Sequence, residues 1–360
     1  MTDIHYVTLA LVPGIGRALV DLMLSRFGSA EAALAATEKE LAEVPGMGRR
    51  TATAVRRASL EEGRTAVERT RELGGVVLVP HDPRFPAALA VIPDAPLILF
   101  AAGRLEILNR EAIAVVGSRM HTRYGTEACR FLAGGAARAG LVVVSGMARG
   151  LDAVAHQAAL DQGGDTVGVL GNGLGVVYPS ANRRLYERVQ AGGCLITESP
   201  PGSRPHAGSF PKRNRLISGL AKATLVVEAR QRSGALITVD CALQQGKEVL
   251  VVPGQITSPL SLGCNRLIQA GAKAALGLRD ILEEYGIAAH VPAVSLPSDL
   301  SQDERRVLDA LSLGVEHVDD VADHIKRPAA EALALLTNLE IRGLVMQEQG
   351  KVFKRLALTS

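Results

Sequence analysis

Six short runs of β-branched and aliphatic residues recur through the middle of the chain: Ala112–Val116, Leu141–Val144, Thr166–Leu170, Cys194–Thr197, Thr224–Val227 and Glu248–Val252. Amphipathic helical patterns lie between them, at Gly125–Arg138, Leu151–Asp161, Arg183–Ala191 and Gly234–Gln245. A strand with one wet face alternates apolar and polar residues, so near-continuous apolar runs call for cover on both faces. Helices returning between such runs predict a parallel sheet with helices on either side, the doubly wound α/β class. Ligands of that class sit beyond the carboxyl ends of the strands, so the loops there are where function is sought.

The flanks differ from the middle. Leu11-Val12-Pro13-Gly14-Ile15-Gly16 is echoed 32 positions later by Glu43-Val44-Pro45-Gly46-Met47-Gly48, and each copy precedes a helical pattern, Ala18–Phe27 and Arg50–Ala58. A Pro-Gly-apolar-Gly turn between helices resembles the helix-hairpin-helix element, whose exposed N–H groups can hold a phosphate without reading sequence. A pair of tight helix connections is an equal reading. After a Pro- and Ser-containing linker, Ser301-Gln302-Asp303-Glu304 is a capping box. Further helical patterns at Val318–Ile325 and Ala329–Arg342 precede two strand-like runs, a winged helix-turn-helix arrangement. Its second helix carries Glu331 and Glu340 against Arg342 alone, which suits a protein contact better than base reading. The expected domains are therefore residues 1–75 (helical), 76–289 (sheet), 290–300 (linker) and 301–360 (winged helix).

Charge follows the same division. Residues 1–75 carry ten Lys+Arg and ten Asp+Glu, residues 76–297 carry 22 against 16, and residues 298–360 carry 8 against 11. A polyanion is expected on the middle segment, not on the acidic tail. No apolar run approaches the roughly 20 residues that span a bilayer, and no charged n-region opens the chain, so a cytoplasmic protein is expected. The four cysteines, at 129, 194, 241 and 264, form no CxxC pair, and neither a disulfide framework nor a zinc site is indicated.

The strand-end loops are rich in small residues: Gly117-Ser118-Arg119, then Ser145-Gly146-Met147-Ala148-Arg149-Gly150-Leu151-Asp152, then Gly171-Asn172-Gly173-Leu174-Gly175. Together with helix starts they suit an anion-binding rim. Neither a dinucleotide fingerprint nor a P-loop lysine motif is present, so no cofactor and no ATPase are expected. Arg230, Arg232, Ser233 and Gly234 open the helix after the fifth run and form a candidate secondary phosphate site, with Ser233 equally a plain N-cap. Asp152, Glu198 and Glu228 fall near strand ends, where such acids more often bond N–H groups and orient arginines than do chemistry. His156 has no partner at a telling spacing, and a structural role is expected.

One stretch stands out. Ser209-Phe210-Pro211-Lys212-Arg213-Asn214-Arg215-Leu216-Ile217 falls in the connection between the fourth and fifth runs and is expected as a loop of the rim. Aromatic residues are 3% of the chain, and a Phe beside three cations pairs a stacking plate with phosphate-binding charge, the pattern of single-stranded nucleic acid recognition. From composition alone, a core Phe with arginines paired to acids stays open.

Six motifs in order, VGSR (Val116–Arg119), SGMARGLDAVAH (Ser145–His156), FPKRNRLISGL (Phe210–Leu220), EARQRSGALIT (Glu228–Thr238), VPG (Val252–Gly254) and GCNRLIQAGA (Gly263–Ala272), resemble the DNA-processing protein A (DprA, or Smf) family. The proline-rich Phe85–Gly103 approach and both flanks resemble it too. The resemblance implies a Rossmann-like sheet flanked by a helix-hairpin-helix (SAM-like) domain and a winged helix. It implies a non-enzymatic recombination mediator of natural transformation that binds incoming single-stranded DNA, protects it and loads RecA. DNA contacts are implied for Gly117, Ser118, Arg119, Ser145, Gly146, Arg149, Phe210, Lys212, Arg213, Asn214 and Arg215, the last left open between DNA and a neighbouring acid. A homodimer is implied near the sheet's end, through Leu267, Ile268, Ala272 and Leu276. The competing resemblance is to lysine-decarboxylase-like phosphoribohydrolases, but EARQRSGALITVD lacks their double-glycine turn and the Glu of their PGGxGTxxE signature.

Overall fold

The computed structural model describes residues 3–287, 300–342, 344–348 and 350–355. All but one residue of the expected linker, 290–299, lies outside them. By contacts the chain forms two compact units, Met1–Ala288 and Ala289–Ser360.

The first unit is built on a nine-stranded sheet: β1 Gly75–Leu78, β2 Leu99–Gly103, β3 Ala112–Val116, β4 Val142–Ser145, β5 Thr166–Val169, β6 Cys194–Thr197, β7 Ala223–Val226, β8 Glu248–Val251 and β9 Lys273–Ala274. Their order is β1-β2-β6-β5-β4-β3-β7-β8-β9. Strands β3 to β9 run parallel, while β2 is antiparallel to both β1 and β6. The six apolar runs are the six central parallel strands, each within a residue or so of its expected limits. The winding moves outward from β3 to β6, then crosses back to β7 on the other side of β3. That reversal opens a crevice at the carboxyl ends of β3 and β7.

Both faces are covered, as continuous apolar strands require. Alternate residues serve opposite cores: Leu99, Ala101, Cys194 and Ile196 belong to one, while Phe100, Ala102 and Leu195 belong to the other. The second core is shared with the first segment, because Val7, Leu9, Val20, Met23, Leu41, Val44 and Val55 pack into it beside Val77 and Phe100. The division near residue 75 is thus one of composition; in packing, the helices and the sheet are one unit. The echoed turns repeat in geometry as well as in sequence. Gly14 and Gly46 hold φ of +84° and +80°, a left-handed conformation that glycine adopts without penalty. Helices Arg17–Phe27 and Arg49–Arg56 follow, opened by Gly16 and Gly48 with no capping side chain.

The second unit has its own core, with Val307, Leu336, Leu339 and Phe353 fully buried. Helices Gln302–Ser312, Val318–Ile325 and Ala329–Ile341 precede an antiparallel pair, β10 Val345–Glu348 and β11 Val352–Arg355. The capping box forms, with Ser301 Oγ accepting from Glu304 N at 3.2 Å and Glu304 Oε2 accepting from Ser301 N at 2.7 Å.

Candidate nucleic-acid interface

The stretch expected as a rim loop is a helix, Ser209–Leu220. Two features hid it from a sequence reading. Pro211 stands in its first turn, where a missing N–H breaks no helical bond, and three cations interrupt its apolar face. Leu216 and Ile217 are 1% exposed, each burial worth roughly 1.5–3 kcal/mol; they anchor the helix under the crevice. On a helix successive residues point about 100° apart, so the cations separate. Phe210, Arg213, Asn214 and Ile217 face one way and line a cavity of about 630 Å³ beyond β3 and β7. Lys212 and Arg215 face another and line a separate cavity of about 90 Å³.

The larger cavity is walled by Gly117, Ser118 and Arg119 on the β3 side and by Arg230, Ser233 and Gly234 on the β7 side. Arg119 is exposed, has no acid partner among the described residues, and sits with its guanidinium carbon 5.9 Å from the centre of the Phe210 ring. Tyr178 flanks the same ring at 5.5 Å between centroids with a 34° tilt. Phe210 also rests on Gly171, where a Cβ would come within 2.8 Å of the ring. Gly171 belongs to a loop the sequence placed on the rim, but Tyr178 was not singled out. The signal available was an aromatic in a chain with five tyrosines, just after the Gly171–Gly175 loop.

Arg213 does not offer a free charge. It is 7% exposed, and its Nη1 donates to the Gly146 carbonyl at 2.8 Å and to the Val169 carbonyl. It ties the ends of β4 and β5 together, which corrects the expectation that its guanidinium holds phosphate directly. Asp152 lies beside it, accepting from the N–H groups of Gly146 and Ala148. Burial pushes the Asp152 carboxyl up, and the facing guanidinium pulls it back down. Arg215 is likewise engaged by acids, donating from Nε to Asp94 at 2.7 Å and from Nη2 to Glu198 at 2.8 and 2.9 Å, with Nη1 left without an acceptor. Two of its nitrogens thus go to neighbouring acids.

Other expected residues play supporting parts. Ser145 is fully buried and donates its hydroxyl to the Val115 carbonyl at 2.6 Å, and Gly146 leaves no room for a side chain against Arg213 and Asp152. Neither lines the crevice. Arg149 and Arg232 are exposed but outside its lining. Asn214 donates weakly to the Gly234 carbonyl at 3.4 Å, and Ser233 caps its own helix, accepting from Ala235 N at 3.3 Å.

The acids have the structural engagement expected of them. Glu228 is 2% exposed, and its oxygens accept from the N–H of Thr122 at 2.9 Å and from its hydroxyl at 2.5 Å. His156 is fully buried, its Nδ1 paired with the Thr166 hydroxyl at 2.7 Å and its Nε2 with Met147 N at 3.4 Å. Burial drives its pKa down to about 3. No cluster of three or more metal-ligating side chains occurs among the described residues, and no helix there is long and apolar enough to cross a membrane. Leu267, Ile268 and Ala272 pack partly against the chain's own core, while Leu276 is 79% exposed.

Comparison with known proteins gives this geometry a family. A family model described as DNA recombination-mediator protein A matches residues 76–286. A DprA winged helix domain matches residues 291–351, and a SAM-like helix-hairpin-helix tandem matches residues 7–58. Protein Smf of Escherichia coli is 40% identical over 283 residues, covering 76% of each chain. The X-ray structure of DNA processing protein A from Streptococcus pneumoniae superposes with a TM-score of 0.70 at 32% identity, covering 79% of this chain and 98% of that one. A Helicobacter pylori DNA processing protein A, whose structure is described as showing a unique single-stranded DNA binding mode, gives a TM-score of 0.53 at 26% identity over 58% of this chain and 95% of that one.

Proposed function

The chain belongs to the DNA recombination-mediator protein A family, and from that premise we propose that it binds single-stranded DNA along the crevice between β3 and β7. The observation that carries the reading is the exposed Arg119, unpaired with any acid among the described residues, held over the Phe210 ring at the cavity mouth. A base entering the cavity takes the ring face that the guanidinium covers, and the guanidinium moves to the neighbouring phosphate. Stacking plates and backbone cations are the two parts of sequence-tolerant single-strand binding. Tyr178 extends the plate. Arg230 and the uncapped-side N–H groups at the Ser233 helix start offer a second phosphate position, and Lys212 serves the strand as it leaves the crevice. Arg213 contributes as a fixed buried charge that shapes the rim.

In the cell this activity protects incoming DNA in the cytoplasm and hands it to RecA during natural transformation, with two copies joined near the β9 edge through Leu276 and its neighbours. It is a binding activity without catalysis. The rival reading, nucleoside monophosphate cleavage, needs a free acid at the strand ends, and Glu228 is committed to Thr122.

The test is a fluorescence titration of the full chain with single-stranded oligonucleotide at two salt concentrations. Phe210→Ala is expected to cost about 1–3 kcal/mol of binding, and Arg119→Ala to lower the salt slope by about 0.7, the share of one single-strand phosphate. Unchanged affinity and slope in both variants would remove the crevice as the DNA site.

A further inference from the structure

The smaller cavity carries a second inference, which rests on the single-strand reading and deepens it. It lies between the first hairpin turn and the start of helix Ser209–Leu220, with Arg17, Lys212 and Arg215 as its cations and Asp94 and Glu198 as its acids. Arg215 is 9% exposed, and with Nε on Asp94 and Nη2 on Glu198, its Nη1 is buried without an acceptor. Arg17 repeats the pattern: Nε donates to both oxygens of Asp21 at 2.9 Å, and Nη1 is buried without an acceptor. Buried donors are almost always paired, so two arginines that line one cavity, each with a guanidinium nitrogen left without an acceptor, call for an acceptor that the chain does not supply.

The acids within reach are already committed to other nitrogens. Lys212 adds an exposed ammonium at the rim that pairs with no acid among the described residues. Helix Arg17–Phe27 opens into the same place on Gly16, with no capping side chain and the positive end of its dipole outward. A ligand with several acceptor oxygens and negative charge answers all four groups.

We propose that this cavity is a phosphate site, and that it takes a backbone phosphate of the same single strand that threads the crevice. The two cavities lie on two faces of one helix start, two residues apart at Phe210 and Lys212, so a strand crossing that start reaches both. Arg17 thereby makes the helical segment part of the DNA path.

The experiment uses the full chain, with Arg17→Gln and the charge-keeping Arg17→Lys, against a short oligothymidine that fills only the crevice, a longer one, and inorganic phosphate. Arg17→Gln is expected to bind the short oligonucleotide as wild type does, to bind the longer one several-fold more weakly, and to lose about 0.7 from its salt slope. Arg17→Lys keeps the slope. Inorganic phosphate, at matched ionic strength, raises the unfolding midpoint of the wild type and not of Arg17→Gln, and circular dichroism checks that both variants fold. A phosphate response lost in Arg17→Gln with unchanged long-strand binding supports the site and assigns it to free phosphate. Equal responses of wild type and variants to both probes overturn it. If the wild type bound no oligonucleotide, the function proposed above would fall, while the phosphate arm would still read this cavity.

Discussion

Three cations within four residues, Lys212, Arg213 and Arg215, do not share one task, because a helix sends Arg213 toward one cavity and Lys212 and Arg215 toward another. Their concentration was legible in the sequence and pointed to the right part of the fold. Their roles were not, since only the packed helix shows that Arg213 and Arg215 are buried. The distinction is measurable. Removing Arg213 leaves Asp152 buried without its facing charge, so Arg213→Met should lower unfolding free energy in urea by about 3–5 kcal/mol, whereas Lys212→Ala should leave it unchanged. A wild-type midpoint for Arg213→Met would show that the clamp contributes little. His156, expected from sequence to be structural, is neutral in the folded protein, with a pKa lowered from 6.5 to about 3. The unfolded chain therefore takes up this proton first, and the contribution of His156 is lost as pH falls from about 6.5 toward 3, by up to about 1.4 kcal/mol per pH unit. Urea unfolding of His156→Gln should show a shallower loss across that window, and parallel profiles would count against this assignment.

Among elements, legibility followed burial. The six central strands are apolar on both faces and announced themselves. Strands β1, β2 and β9 did not: β1 is four residues directly after Gly74, β2 ends in Ala-Ala-Gly, and β9 is two residues long. Such short edge and antiparallel pieces carry too little pattern to be told from loop. Helix Ser209–Leu220 was missed for the opposite reason, since its functional residues overwrote its helical signal. The β9 edge bears on assembly. Leu276, two residues past a two-residue edge strand, is 79% exposed, an arrangement suited to a self-complementary contact. Leu276→Asp should shift sedimentation from dimer to monomer while leaving the circular dichroism spectrum intact. A monomeric wild type would end the proposal.

For the molecule as a whole, charge and packing divide the chain differently. Charge separates a neutral first segment, a basic middle and an acidic tail, and the pattern of the sequence followed those lines. Packing joins the first two, because Val7, Met23 and Val55 share a core with Val77 and Phe100, and sets Ala289–Ser360 apart with a core of its own. Contacts between segments leave no mark on composition, which is why that junction could not be read in advance. A truncation that removes residues 1–75 would strip cover from one face of the sheet and would measure folding as much as DNA binding. Ending the chain at Ala288 removes a separate unit instead. It also removes 11 acids against 8 cations beyond residue 297, charge that opposes a polyanion at long range. The shortened chain should therefore unfold cooperatively near the wild-type midpoint. It should bind single-stranded oligonucleotide as tightly as the full chain or more tightly at low salt, and the gap should close as salt screens it. Loss of binding in a folded truncation would mean that the winged helix takes part in gripping the strand, and would move part of the interface out of the crevice.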